Sequence, residues 1–179
     1  MTADPVDLYR RASDWAITKV EGAAGKLDEP TPCEQWNVRT LLDHMLDTQT
    51  YFLWTARGQK ATPPSPTPPS LVGDDPVGEF TAMQADLIAA YSEDGAVEAN
   101  PMGIGIAFSD MLLHGCDLAR ATGQDDTMPD GLAEASYETV HGNISDENRA
   151  GVFGPEIAVG SDASAQEKLL GFTGRAPSA

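Results

Sequence analysis

The sequence predicts an all-α fold, a bundle of four main helices. Three observations carry that prediction. Apolar residues recur at helical spacing in four segments, capping residues open those segments, and a 16-residue stretch with six prolines separates the second from the third. The chain has 179 residues, which suits one domain over 1–179, with about 147–179 as a short C-terminal appendage packed on the bundle.

Asp4 is the expected N-cap of the first helix and Pro5 its first residue. Val6, Tyr9, Ala12, Trp15, Ile17 and Val20 supply its buried side, and Gly25 with Pro30 ends it. A tight loop, Thr31–Asn37, feeds the second helix, Val38–Ala56, with Asn37 as N-cap and Trp36 placed as a hydrophobic staple. Val38, Leu41, Leu42, Met45 and Phe52 form its apolar stripe. The proline-rich stretch Ala61–Pro76 has no periodicity and reads as a stiff, extended crossover rather than a hairpin between neighbouring helices. The third helix runs Val77–Tyr91, with Phe80, Met83, Leu87, Ile88 and Tyr91 inside. Gly95–Gly105 reads as a turn-rich segment. Its Gly103-Ile104-Gly105 lacks the strand and glycine pattern of a phosphate loop, so a turn into the next helix is expected. The fourth helix, Ile106–Ala121, stops at Thr122-Gly123. A fifth starts at Asp130-Gly131 and runs to about Ile144, and a short helical run is expected near Ala165–Leu170.

The charge balance narrows the function. With 28 acidic against 11 basic side chains the formal net charge is -17, and there is no basic run. Such a chain repels a phosphate backbone and an anionic lipid surface, so neither nucleic acid nor membrane is an expected partner. The N-terminal residues show no signal pattern and no apolar run reaches about 18 residues, which points to a cytoplasmic protein. Cys33 and Cys116 have no CxxC spacing and read as free thiols that the site below does not need.

The chemistry concentrates on the fourth helix. Asp110 and His114 stand at i and i+4, about 40° apart on one face. Ile106, Phe108, Met111, Leu112, Leu113 and Leu118 surround them, so the helix reads as buried nearly all round. A carboxylate and an imidazole there must be paired or ligated. One reading is an Asp–His hydrogen bond inside a core, and the other is two thirds of a metal site. His44 flanks the stripe of the second helix beside Leu41, at the edge of a helix–helix seam. It is the candidate third ligand, although a flank histidine alone also reads as a surface residue. His141, beside Gly142 at a helix end, needs no function. Asp117, three residues past His114, and Asp43, just before His44, are candidates to orient an imidazole, and a solvated Asp43 is the plainer alternative. Gln49 falls inside the stripe and must either line the pocket or bond a neighbouring backbone. Arg120 is placed to clamp a substrate carboxylate or, more simply, to pair with Asp117.

Two stretches carry a resemblance. Thr31-Pro32-Cys33-Glu34-Gln35-Trp36-Asn37-Val38-Arg39-Thr40-Leu41-Leu42-Asp43-His44 and Ser109-Asp110-Met111-Leu112-Leu113-His114-Gly115-Cys116-Asp117-Leu118-Ala119-Arg120-Ala121-Thr122-Gly123-Gln124 resemble the metal-binding domain of mycothiol-dependent maleylpyruvate isomerase-like proteins, in the DinB-like bundle superfamily. The tail Leu169–Pro177 resembles one branch of that group. The resemblance implies a divalent metal, usually zinc, on His44, Asp110 and His114, and chemistry with mycothiol or another low-molecular-weight thiol at the open metal position. Cys116 departs from the tryptophan common in this branch, and no counterpart of the isomerase's extra C-terminal domain is expected, so the substrate is not carried over. Two classes of function remain at this point. One is a metal- and thiol-dependent S-transferase or isomerase-like enzyme, acting on a small-molecule thiol and an electrophilic substrate. The other is a non-catalytic metal-binding bundle with a structural or metal- or redox-sensing role. A homodimer is compatible with both. No HExxH motif is present to suggest a zinc hydrolase.

Overall fold

The computed structural model describes residues 4–33, 36–145, 147, 149 and 151–177. Glu34 and Gln35, within the first of the two family-like stretches, lie outside the described residues. The helices are α1 (Pro5–Gly22), α2 (Val38–Ala56), α3 (Pro76–Tyr91), α4 (Ala96–Ala99), α5 (Pro101–Thr122), α6 (Leu132–His141) and α7 (Ala165–Phe172). Beyond them, an isolated antiparallel bridge joins Pro30 to Asn37. The fold is an all-α, DinB-like bundle. α5 packs against α1 and α2, and α3 closes the ring by packing against the same two, while α6 lies on α5 and carries α7. Among the described residues no helix is long and apolar enough to cross a membrane.

Local chemistry fixes the helix starts. Asp4 accepts from the Val6 N–H at 3.0 Å, with Pro5 following. Asn37 caps α2 through the Thr40 N–H at 2.9 Å, and Asp75 caps α3 through the Gly78 N–H at 3.0 Å. Each satisfies a donor that the first helical turn leaves orphaned. The same device corrects one expectation. Asn100 accepts from the Gly103 N–H at 3.0 Å and Pro101 opens α5, so Gly103-Ile104-Gly105 lies within the helix and is not a turn. Gly103 serves packing instead, since a Cβ there would sit 2.4 Å from the Tyr91 hydroxyl. Tertiary contact overrides a propensity cost of about 1 kcal/mol. The fifth expected helix also ends earlier, at His141 rather than near Ile144.

The crossover runs back along α2. Asp47 Oδ2 accepts from the Ser65 N–H at 3.3 Å, and Asp43 Oδ1 accepts from Leu71 and Val72 at 2.8 and 2.7 Å. The connection thus leaves the C-terminal end of α2 and returns to its N-terminal half, so α3 starts beside the start of α2. Two neighbouring helices that run the same way need such a length. Asp43 is therefore neither solvated nor an orienter of His44. It is buried, and it holds backbone donors that prolines leave without a helix or sheet to join.

α5 is buried on most of its circumference, with Ala107, Phe108, Met111, Leu112 and Leu118 all at most 2% exposed. Gly115 lets α1 approach, for a Cβ there would meet the Trp15 ring at 2.7 Å. This crowding leaves α5 one polar face, directed at α2.

Candidate metal centre

The α2–α5 seam brings His44, Asp110 and His114 to one point. Asp110 Oδ1 lies 3.5 Å from His114 Nε2 and 4.0 Å from His44 Nε2, and the three donor atoms all lie within 4.8 Å of one another. Ligands about 2.1 Å from a tetrahedral zinc ion stand about 3.4 Å apart, so side-chain shifts of under about 1 Å close this set on one ion. The donor set, two imidazoles and one carboxylate, is also the kind that leaves a fourth position open. The residues fit a divalent metal.

The surroundings sort the donor atoms. Gln49 donates from Nε2 to Asp110 Oδ2 at 3.2 Å, which occupies one carboxylate oxygen and leaves Oδ1 for the two imidazoles. Gln49 thus resolves toward the site, not toward a neighbouring backbone. On the far side of His114, Nδ1 lies 3.0 Å from Asp117 Oδ2. Asp117 is itself gripped by Arg175, whose Nε and Nη2 donate to Oδ1 and Oδ2 at 2.9 and 2.8 Å. This chain fixes the ring so that Nε2 faces Asp110. Burial disfavours the His114 imidazolium, but the carboxylates of Asp110 and Asp117 outweigh it and lift the group to about 10. Burial pushes the Asp110 carboxyl up, against the pull of His114 and Gln49. Against the burial of Asp117, the Arg175 guanidinium and His114 hold its carboxyl well below the usual carboxylate range.

His44 differs. Its Nδ1 is buried and has no hydrogen-bond partner among the described residues, while its ring lies against Trp36 with centroids 4.5 Å apart. Burial, then the charges of His114 and Arg175, push it down to about 3, so it is neutral and able to ligate near pH 7. Thr48 Oγ1 stands 3.5 Å from its Nε2.

Two residues behind the site have roles that were not read from the sequence, although both lie in the family-like stretches. Arg175 sits in a short Gly-bounded tail with no periodic signal. Cys33, set aside above as unneeded, donates from Sγ to Asp117 Oδ2 at 3.3 Å and belongs to the network behind His114. Cys33, His114 and Asp117 form a second close group, but it does not suit a cation, because Arg175 already occupies both Asp117 oxygens. Trp36, expected as a staple, covers His44 and donates from Nε1 to the Pro66 carbonyl at 3.3 Å. Arg120 pairs not with Asp117 but with Asp126, at 2.6 Å, and donates to the Ala176 carbonyl. Its position three residues past Asp117 was the misleading signal, since Arg175 fills that carboxylate. His141 packs between the rings of Tyr137 and Phe172, at 5.1 and 5.2 Å, apart from the site. Cys116 is buried with Sγ 3.8 Å from Asp126, and burial pushes its thiol up to about 12.

A cavity of about 290 Å³ opens over the three donors, between α2, α5, the end of α6 and the segment around Phe153. Apart from the donors, the lining side chains with polar atoms are Thr48, Tyr51, Ser109 and Arg175, and the rest is chiefly apolar.

The family description "Mycothiol maleylpyruvate isomerase N-terminal domain" matches residues 9–119, a span that holds His44, Asp110, His114 and Asp117. Two relatives from strains of Mycobacterium tuberculosis, named Uncharacterized protein MT0763 and Uncharacterized protein Rv0738, are each 30% identical over 142 residues, covering 73% of this chain and 74% of theirs. No solved structure matches. With a bundle of the expected kind and the family description matched through α5, the chain belongs to the mycothiol maleylpyruvate isomerase N-terminal domain family, a DinB-like group.

Proposed function

We propose that the chain binds one divalent metal, most suitably zinc, on His44, Asp110 and His114, and that it acts as a metal- and thiol-dependent S-transferase or isomerase-like enzyme. The observation that carries this reading is the convergence of three ligand atoms at the floor of a cavity, with the second nitrogen of His114 anchored on Asp117. When bound, the ion supplies Lewis acidity that favours the thiolate form of a small-molecule thiol at neutral pH. The protein's own residues do the rest. His44 is already neutral, and Asp110 presents one free carboxylate oxygen because Gln49 holds the other. Asp117 and Arg175 fix the plane of the His114 ring. The apolar walls exclude water from an electrophile placed above the donors, which protects a thiolate addition from hydrolysis. Family membership supports a mycothiol-related role. Mycothiol, or an analogue, is the thiol the reading names.

The test is spectroscopic. With Co²⁺ in place of the native ion, mycothiol should produce a sulfur-to-cobalt charge-transfer band and speed alkylation by a model electrophile. A cobalt spectrum unmoved by millimolar thiol, with the metal still bound, removes the thiol-dependent reading.

A further inference from the structure

The cavity over the donors restricts what can react there more tightly than the donors do. We infer that its substrate subsite takes a compact, apolar-bodied molecule, aryl or branched alkyl, and rejects a dicarboxylate of similar size. The inference rests on the metal- and thiol-dependent reading above, and it adds the chemical class of the partner.

Size comes first. At about 290 Å³ the cavity lies at the small end of the about 300–1,000 Å³ usual for ligand pockets, so its apolar part holds one small body. Tyr51 and Phe52 of α2, Ile106 of α5, Val140 of α6, and Ile144 and Phe153 beyond it make the walls. Apart from the Tyr51 hydroxyl, these side chains offer dispersion contact and no hydrogen bonds.

Charge decides the class. Among the described lining residues the only cation outside the donor set is Arg175, and its Nε and Nη2 are already committed to Asp117. A dianion brought here would leave water for apolar walls with one partly engaged guanidinium to answer two carboxylates, which is the unfavourable case for buried charge. The chain's net charge of -17 opposes the approach of a dianion as well. One anionic atom, at the open metal position, is as much negative charge as the site can balance.

Two matched pairs of probes test this on the zinc-loaded full chain by calorimetry, with no turnover needed. Phenylmethanethiol is set against mercaptosuccinate, and phenylacetate against succinate. The apolar member should bind about tenfold tighter or more in each pair. Ile144→Trp and, separately, Ile106→Trp should weaken phenylmethanethiol at least about tenfold by filling the cavity, with zinc content by elemental analysis unchanged. If phenylacetate is preferred but neither thiol binds, the thiol-dependent reading fails while the apolar subsite stands. Equal or reversed ranking in both pairs, or no binding in either pair with zinc retained, overturns the inference. A tryptophan variant that keeps its zinc and binds phenylmethanethiol as tightly as the unaltered chain also overturns it.

Discussion

The two histidines at the centre are held by opposite means. His114, on α5, hands its Nδ1 to Asp117, which Arg175 clamps from the tail of the chain, and in the metal-free protein it carries a proton up to about pH 10. His44, on α2, has a buried Nδ1 without a partner, is pushed down to about 3, and is kept in place by the Trp36 ring. One side of the site is arranged by charge and hydrogen bonds that reach across the fold. The other is arranged by packing. For the metal proposed above, the difference means that on the α5 side most of the ligand orientation is set in advance, and on the α2 side little more than the ring's location is.

The largest test removes the ligands. His114→Ala, or the pair His44→Ala with His114→Ala, should abolish stoichiometric zinc by elemental analysis, while His141→Ala leaves it unchanged. Full zinc in the double variant would break the comparison at its base. Next in size is the support behind His114. Asp117→Asn or Arg175→Ala leaves all three ligands in place but should lower metal affinity by about 10- to 100-fold, as competition with a chelating dye would show. An unchanged affinity would mean that the Asp117–Arg175 chain serves the fold alone.

The two histidines should also respond oppositely to pH. Because the metal-free fold raises His114 to about 10, its stabilising contribution is present below the unfolded value of about 6.5 and is lost as pH rises through 10. A metal must displace that proton, so affinity should rise about tenfold per pH unit across neutral pH, with about one proton released on binding. His44, at about 3, has none to give in this range. Calorimetry in buffers of different ionisation enthalpy counts the protons, and a count near zero would place His114 neutral before metal arrives.

The fold was largely legible because its signals are local. Asp4, Asn37 and the apolar stripes announce helices within a few residues of themselves, and the i, i+4 pair on a buried helix drew attention to Asp110 and His114. What escaped is non-local. Arg175 reaches Asp117 across 58 positions of sequence, and Asp43 serves backbone groups 28 and 29 positions away, which no period encodes. Asp43 looked solvated because a wheel shows which way a side chain points from its helix but not which crossover lies over it. The start of α5 was missed for a related reason. Glycine signals a turn by propensity, yet Gly103 is glycine because Tyr91 and Asn100 crowd it. The consequence can be measured. Asp43→Asn retains one acceptor oxygen but loses the charge that strengthens two backbone bonds, and should cost about 1–2 kcal/mol of stability in chemical denaturation with metal affinity unaltered.

The smallest expected effect falls on the packed side of the site. Trp36→Phe keeps an aromatic ring over His44 but removes the indole N–H that reaches the Pro66 carbonyl at 3.3 Å. Losing that neutral, exposed hydrogen bond should cost about 0.5–1 kcal/mol of stability at most. Metal affinity should drop less than about threefold, since ring-on-ring contact of this kind is worth only about 0.5–1.5 kcal/mol and most of it survives in phenylalanine. Trp36→Ala, which uncovers the imidazole, should fall further, by about tenfold. If Trp36→Phe instead costs as much metal affinity as Asp117→Asn, then the packed side orients its ligand as firmly as the charged side does, and the asymmetry between the two histidines lies only in their protons.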